Sequence, residues 1–387
     1  MSSDEQIYWG REQTGVKHVI LQRYLLRLAV IVGGTWADTI TYIDCFSGPW
    51  ENNAADYSDT SFGIAIQELK KAKLELNKRD KQPRFRCLFL EKDKNAFAKL
   101  EAFCKNESQV EAKAQNSLLE NAVPEILKFH QRGGQKNFSF TFIDPTGWTG
   151  IEMDVIRPLL KQMPGEVLIN YMTSFIRRFI ESNDQSLAPS FDRLYGDANF
   201  RAKLQSIPKG ERDDVMVEEY VRRIKSEGEF QFVCYTPIFQ PKTNDIHFHL
   251  IYCTRHGKGL EVFKKEEREA VKMMEQARAE AQQRNRESGG ARELFPPKEM
   301  HDTSFYDSLR IKYLSKAQSR IRTLLSSKQP VDYDRLWEAA LTTPLVWVQD
   351  LDQFLLELKK DGKLKFIGLG EREKFPKHGK GVLVQLS

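Results

Sequence analysis

The first long apolar stripe in the chain has a helical period. Val16, Ile20, Tyr24 and Leu28 repeat at four-residue spacing, with Thr14 as the expected N-cap and Gly33-Gly34 as the stop. From there β-branched and aromatic runs alternate with helical patterns: strand 40–45, helix 62–78, strand 85–90, helix 93–105, a short strand near Val110, helix 118–130, strand 138–143, helix 152–162 and strand 166–171. Such alternation predicts a parallel sheet with helices on both faces.

The order then changes. After a mainly helical stretch, the runs 229–237 and 245–253 face each other across a short connection containing Pro, Asn and Asp, which predicts an antiparallel hairpin. Five parallel strands closed by a hairpin give an α/β, doubly wound seven-stranded sheet, the layout of the class I S-adenosylmethionine-dependent methyltransferase fold. The segment 261–287 is charged and helix-favouring, and Ser288-Gly289-Gly290 before Pro296-Pro297 marks a boundary. Beyond it, helices over 313–326, 333–341 and 348–360 precede two short strands, 363–367 and 381–385, around a basic loop. That is a winged helix-turn-helix pattern. The expected organisation is a Rossmann methyltransferase-like domain over 1–260, a charged helical linker over 261–303 and a winged-helix domain over 304–387.

Composition adds limits. The hydrophobic share of 40% is that of a globular chain, and no apolar run approaches the roughly 18 residues a membrane span needs. The amino terminus lacks the basic region of a signal peptide, and the five cysteines form no CxxC, so a soluble, cytoplasmic protein with reduced thiols and no membrane association is expected. The net charge of +5 is concentrated at one end: fifteen Lys and Arg stand against ten Asp and Glu over 304–387. Lys363, Lys365, Arg372, Lys374, Lys377 and Lys380 of the wing make its basic surface, suited either to nucleic acid or to docking a protein. The helix over 348–360 carries Asp350, Asp352 and Glu357, which oppose phosphate contact.

The candidate chemistry lies where strands end. In open α/β sheets ligands bind at the carboxyl edge of the strands. At the first strand end, Asp44-Cys45-Phe46-Ser47-Gly48-Pro49 resembles a D-x-F-x-G-x-G cofactor loop, with Trp50 where the second glycine would stand. Asp44, Phe46, Gly48 and Pro49 are the candidate cofactor residues there. Glu91 ends the second strand, where a carboxylate can accept both ribose hydroxyls of an adenosine cofactor; it follows Asp44 by 47 residues, against the usual spacing of about 20. Asn116, after the third strand, is either an adenine contact or a helix N-cap.

The fourth strand ends in Asp144-Pro145-Thr146-Gly147-Trp148, a variant of the [DN]-P-P-[YF] motif that orients an acceptor amine. Asp144 and Pro145 would hold the acceptor, and Trp148 would supply a stacking face. His247 and His249 alternate on one strand, as a polar face of the sheet rather than a metal pair, so no metal site is expected.

As a set, Lys17-His18, Tyr42-Ile43-Asp44-Cys45-Phe46-Ser47-Gly48-Pro49, Leu90-Glu91-Lys92, Phe142-Ile143-Asp144-Pro145-Thr146-Gly147 and Leu168-Ile169-Asn170-Tyr171-Met172 resemble the three-Cys-motif partner family, TcmP. The family motifs generally read D-x-F-A-G-P-G and D-P-F-G, so Trp50 and Thr146 are departures. The resemblance implies a bacterial or mobile-element protein of methyltransferase-like fold, with a C-terminal winged helix and a separate partner bearing a three-cysteine motif of radical-S-adenosylmethionine type. The function expected is that of an S-adenosylmethionine-dependent methyltransferase-like protein acting on nucleic acid at a base amino group. The alternative is a non-catalytic nucleic-acid-binding or assembly protein that retains the fold.

Overall fold

The computed structural model describes residues 8, 10–48, 54–182, 186–288, 296–297, 299, 301–326, 329–370 and 372–387. Helix α1 (Glu12–Thr35) leads into β1 (Thr39–Asp44), followed by α2 (Ser61–Asn77), β2 (Arg84–Glu91), α3 (Lys94–Asn106), β3 (Glu111–Asn116), α4 (Leu119–Gln131), β4 (Asn137–Ile143), α5 (Met153–Leu160) and β5 (Gly165–Tyr171). Helices α6 (Thr173–Glu181), α7 (Ala188–Tyr195), α8 (Phe200–Gln205) and α9 (Lys209–Glu227) precede the hairpin β6 (Phe232–Phe239) and β7 (Ile246–Thr254). The sheet order is β3-β2-β1-β4-β5-β7-β6, with β1 to β5 parallel and β7 antiparallel to both its neighbours. The fold is therefore α/β with a seven-stranded, mostly parallel sheet of methyltransferase-like kind.

Alternation along each strand sends side chains to two cores. Ile40 and Tyr42, Cys87 and Phe89, Phe140 and Phe142 pack with α1 and α2 on one face. Ile43, Leu88, Leu90, Ile143, Ile169 and Tyr171 pack with α4 to α9 on the other. Nearly every residue of β1, β2, β4 and β5 is buried, as expected of strands covered on both faces, whereas the edge strand β3 has none buried.

Several predicted boundaries move. Helix α1 begins two residues ahead of Thr14, because Arg11 rather than Thr14 takes the cap position. The third strand lies after Val110, and the hairpin starts at Phe232 because Glu229 adopts a positive φ of 54°. The charged segment becomes a single helix, α10 (Gly257–Ser288), whose buried Leu260, Phe263, Ala270, Val271 and Met274 join the first core beside α1. The carboxyl-terminal part contains α11 (Ser304–Leu325), β8 (Val331–Asp332), α12 (Tyr333–Leu341), α13 (Val348–Lys360), β9 (Leu364–Ile367) and β10 (Leu383–Leu386), with the three strands ordered β8-β10-β9. Its core is continuous with the sheet's: Trp337 meets Phe232 edge-on at 5.7 Å, and the Trp347 indole donates to the buried Glu267 of α10 at 2.9 Å. No helix among the described residues is long and apolar enough to cross a membrane.

Candidate functional site

The sheet's winding reverses between β1 and β4: from β1 the chain builds outward through β2 and β3 on one side, then returns to add β4 and β5 on the other. A cavity of about 490 Å³ opens above that point, within the usual range for a small-molecule site. Its wall takes residues from every neighbouring strand end: Cys45, Phe46 and Gly48 after β1, Leu90 and Glu91 of β2, Asp144 to Thr146 after β4, and Asn170 and Met172 at the end of β5. Helix α1 crosses over this edge and adds Lys17 and His18.

The first strand end is a tight local turn. Asp44 is fully buried beneath the cavity rather than on its wall; its Oδ1 accepts the Phe46 N–H at 3.1 Å and the Ser61 hydroxyl at the start of α2 also bonds to it. Burial pushes its carboxyl up to about 6, against the pull of those donors. The Ser47 N–H donates to Leu90 O at 2.8 Å, tying the turn to the end of β2. Two glycines permit this packing. A Cβ on Gly63 would lie 2.0 Å from the Tyr57 carbonyl oxygen, and one on Gly150, at φ +92°, would lie 2.8 Å from the Phe46 ring.

Glu91 lies on the cavity wall, and its Oε1 accepts the Asp93 N–H at 2.6 Å. Desolvation raises its pKa. Asn116 does not line the cavity: its amide donates to the Glu91 and Lys92 carbonyls at 2.8 and 3.0 Å, so it braces β3 against the end of β2. Its neighbours Ser117, Leu118 and Leu119 form the wall instead. Pro49, one of the expected cofactor residues, and Trp50 lie outside the described residues.

On the acceptor side, Asp144 and Pro145 line the cavity as expected. Trp148 does not. It is buried in the second core, 5.3 Å from Phe179 between ring centroids, because the loop after β4 turns its indole under the sheet edge. The aromatic residues on the wall are Phe46, Phe175 and Phe248, and the Arg178 guanidinium sits 4.3 Å from the Phe175 ring centre.

Two partners of Asp144 were not foreseen. Lys17 Nζ donates to Oδ2, and Asn170 Nδ2 donates to Oδ1 at 2.7 Å. Both partners are almost wholly buried, and Asn170 Oδ1 has no hydrogen-bond partner among the described residues. The sequence did carry one signal: Lys17-His18 interrupts an otherwise apolar helical run, and a charge there needs a partner. His18 bonds through Nδ1 to the Tyr8 hydroxyl at 2.9 Å, and burial with the Lys17 cation lowers its pKa. His247 also reaches the cavity, its Nδ1 taking a bond from Gln240 at 2.7 Å, whereas His249 is fully buried and held down to about 3 by desolvation. Among the described residues no cluster of three or more His, Cys, Asp or Glu could hold a metal. The Cys45 thiol, on the wall, is pushed well up by burial.

No family model and no curated protein matches the chain. Among solved structures, a Legionella pneumophila protein of the family DUF519 is similar over 61% of this chain and 84% of its own, with 10% identity and a TM-score of 0.36. Loganic acid methyltransferase, solved with S-adenosylhomocysteine (SAH), is similar over 73% of this chain and 92% of its own, with 10% identity and a TM-score of 0.29.

Proposed function

We propose that the chain is an S-adenosylmethionine-dependent, methyltransferase-like protein acting on nucleic acid. One observation carries the reading: a single cavity at the switch point is walled by a carboxylate from β2 and another from β4. These strands flank β1, so the two acidic ends stand about 10 Å apart, enough to hold a nucleoside on one and an acceptor at the other.

The donor fits the residues present. Glu91 would accept from its ribose hydroxyls, Leu90, Leu118 and Leu119 would cover its purine, and the Phe46 to Gly48 turn would receive its methionine part, with Asp44 fixing that turn from below. S-adenosylmethionine supplies an electrophilic methyl group. The acceptor meets the chain at Asp144 and Pro145. The Asp-Pro pattern alone suggests a base amine, whereas the donors around Asp144 bear on that atom differently.

The carboxyl-terminal part would deliver the substrate. Its helices and three-stranded sheet support a winged-helix reading over 304–387, and Lys363, Lys365, Arg372, Lys374, Lys377 and Lys380 are all exposed on or beside the β9–β10 wing. On α13, Asp350 is tied to Arg310 at 2.5 Å, but exposed Glu357 still faces solvent there, whereas the wing presents six exposed cations and is the better phosphate surface. A separate three-Cys-motif, radical-S-adenosylmethionine-type partner is proposed on the sequence resemblance, and co-purification of the pair from a strain encoding both would test it.

Calorimetric titration with S-adenosylmethionine and with SAH tests the donor site. Saturable binding to one site is expected, and its absence in both titrations rejects the reading. A second reading, a non-catalytic assembly protein, is favoured by the engagement of Asp144 with Lys17 and Asn170, which would then be structural. It expects Asp144→Asn to keep biological activity that deletion of 304–387 abolishes.

A further inference from the structure

The hydrogen-bonding needs of the acceptor atom can be read from the groups that surround Asp144. Lys17 brings up to three N–H donors and no acceptor. Asp144 brings lone pairs beyond those taken by Lys17 and Asn170, and Asn170, 3% exposed and on the cavity wall, adds an Oδ1 that is itself buried and has no hydrogen-bond partner among the described residues. A cation and two kinds of acceptor oxygen thus meet at one place.

Three candidate acceptors fare differently there. An exocyclic base amine offers two N–H donors, and its lone pair must stay free for the incoming methyl group, so nothing on it can take a bond from Lys17. A carboxylate accepts from Lys17 but has no proton for Asp144 or Asn170, and it is repelled by the Asp144 charge. A hydroxyl satisfies both kinds of group: one lone pair takes the Lys17 N–H, the O–H donates to Asp144 or Asn170, and a second lone pair remains.

We propose that the group methylated at this site is a hydroxyl, and that its nucleic-acid substrate is therefore RNA, modified on a ribose oxygen. The inference rests on the reading of the cavity as a methyl-donor site, and it follows from the Lys17–Asp144–Asn170 cluster together with the chemistry of nucleic acids, since internal nucleotides of DNA carry no free hydroxyl. In the transfer the O–H bond breaks and its proton passes to the Asp144 carboxylate. The oxygen pair forms the new C–O bond, the methyl–sulfur bond breaks, and sulfur keeps that pair, leaving SAH. The Lys17 ammonium faces the oxygen as negative charge grows on it, the kind of preorganised donor whose loss costs about a hundredfold or more in rate. Lys17 is in this sense a catalytic residue, and Asn170 a positioning one.

The test uses the full chain, methyl-labelled S-adenosylmethionine, and two probes: a random-sequence RNA pool and its DNA counterpart. After transfer, the nucleic acid is digested to nucleosides and the label located. Label on ribose, from RNA only, is expected. Lys17→Met is expected to lose at least about a hundredfold of that transfer while its affinity for S-adenosylmethionine by calorimetry stays within about threefold, and Lys17→Arg should recover part of the loss. A binding measurement stands apart from turnover: with SAH present, RNA should bind about tenfold more tightly than the same pool made 2′-deoxy, and Lys17→Met should remove the difference. Label on a base nitrogen, or donor binding with no transfer to either pool, overturns the inference and leaves the donor site standing. Absence of donor binding overturns the reading beneath it. Asn170→Ala serves as the second variant should Lys17→Met not fold.

Discussion

The two halves of the cavity are built in different ways. On the donor side each carboxylate accepts an N–H two residues ahead, Asp44 from Phe46 and Glu91 from Asp93, while Ser61 and Leu90 O tie the turn to α2 and β2. On the acceptor side the carboxylate of Asp144 is held by Lys17, 127 positions earlier, and by Asn170, 26 positions later. Local turn chemistry shapes the first half, and charge pairing across the fold shapes the second. The donor half should therefore tolerate changes in the acceptor half, and the reverse.

Asp144→Ala gives the largest expected effect. It removes the only charged partner recorded for Lys17 among the described residues, a cation about nine-tenths buried, and breaking such a pair costs about 3 kcal/mol of stability. Urea denaturation should show that loss, and methyl transfer should fall below detection, while donor affinity in the folded fraction stays near wild type. A variant that loses donor binding instead would erase the division between the two halves.

Asp44→Asn acts on the other half with the opposite sign. A carboxyl that titrates near 6 when folded and near 4 when unfolded takes up its proton more readily in the fold. Stability is then greatest below about pH 4 with respect to this group and declines as pH rises through 6. Asn cannot ionise and keeps an oxygen for the Phe46 N–H. The variant should be more stable than wild type by up to about 3 kcal/mol at pH 7, with the gain shrinking to nothing near pH 4. A pH series of urea midpoints checks this, and an unchanged difference across that series would show that Asp44 titrates alike in the folded and unfolded chain.

Glu91→Gln should weaken S-adenosylmethionine binding by about tenfold, the worth of one charge-assisted hydrogen bond, and leave the rate at saturating donor unchanged. A fall in the saturated rate with unaltered affinity would move Glu91 to the acceptor half. The smallest effect is expected at the seam between the halves. Gly150→Ala places a Cβ against the Phe46 ring at a positive φ, and should cost about 1 to 2 kcal/mol by thermal or urea unfolding. Pairing it with Phe46→Leu should recover most of the steric part.

What could be read from the sequence follows the same division. The sheet and its closing hairpin were legible because period-2 and period-3.6 patterns are local, and the strand ends that carry Asp44, Phe46, Gly48 and Glu91 are marked because a strand that breaks at Gly announces its end. Asn116 stands at the expected edge, but neither as an adenine contact nor as a helix N-cap: its amide turns back onto the Glu91 and Lys92 carbonyls, and Leu118 takes the cap position. Trp148 was assigned to stacking because it follows Asp144 closely, yet the loop carries it into the second core. Lys17 escaped altogether as a site residue. Its partner depends on where α1 crosses the sheet, which only the packing of Tyr24, Leu25 and Leu28 on the first core determines. The long α10 was read from its charge as a connecting segment, while its buried Leu260, Phe263 and Met274 stripe packs beside α1.

A crystal structure of the full chain with SAH tests the central claim most directly. The account expects the ribose hydroxyls on the Glu91 carboxylate, the amino-acid end in the Phe46 to Gly48 turn, and the sulfur facing the Lys17–Asp144 pair. A ligand bound with its ribose away from Glu91, or a cavity at the β1–β4 switch point that stays empty at saturating SAH, would contradict it.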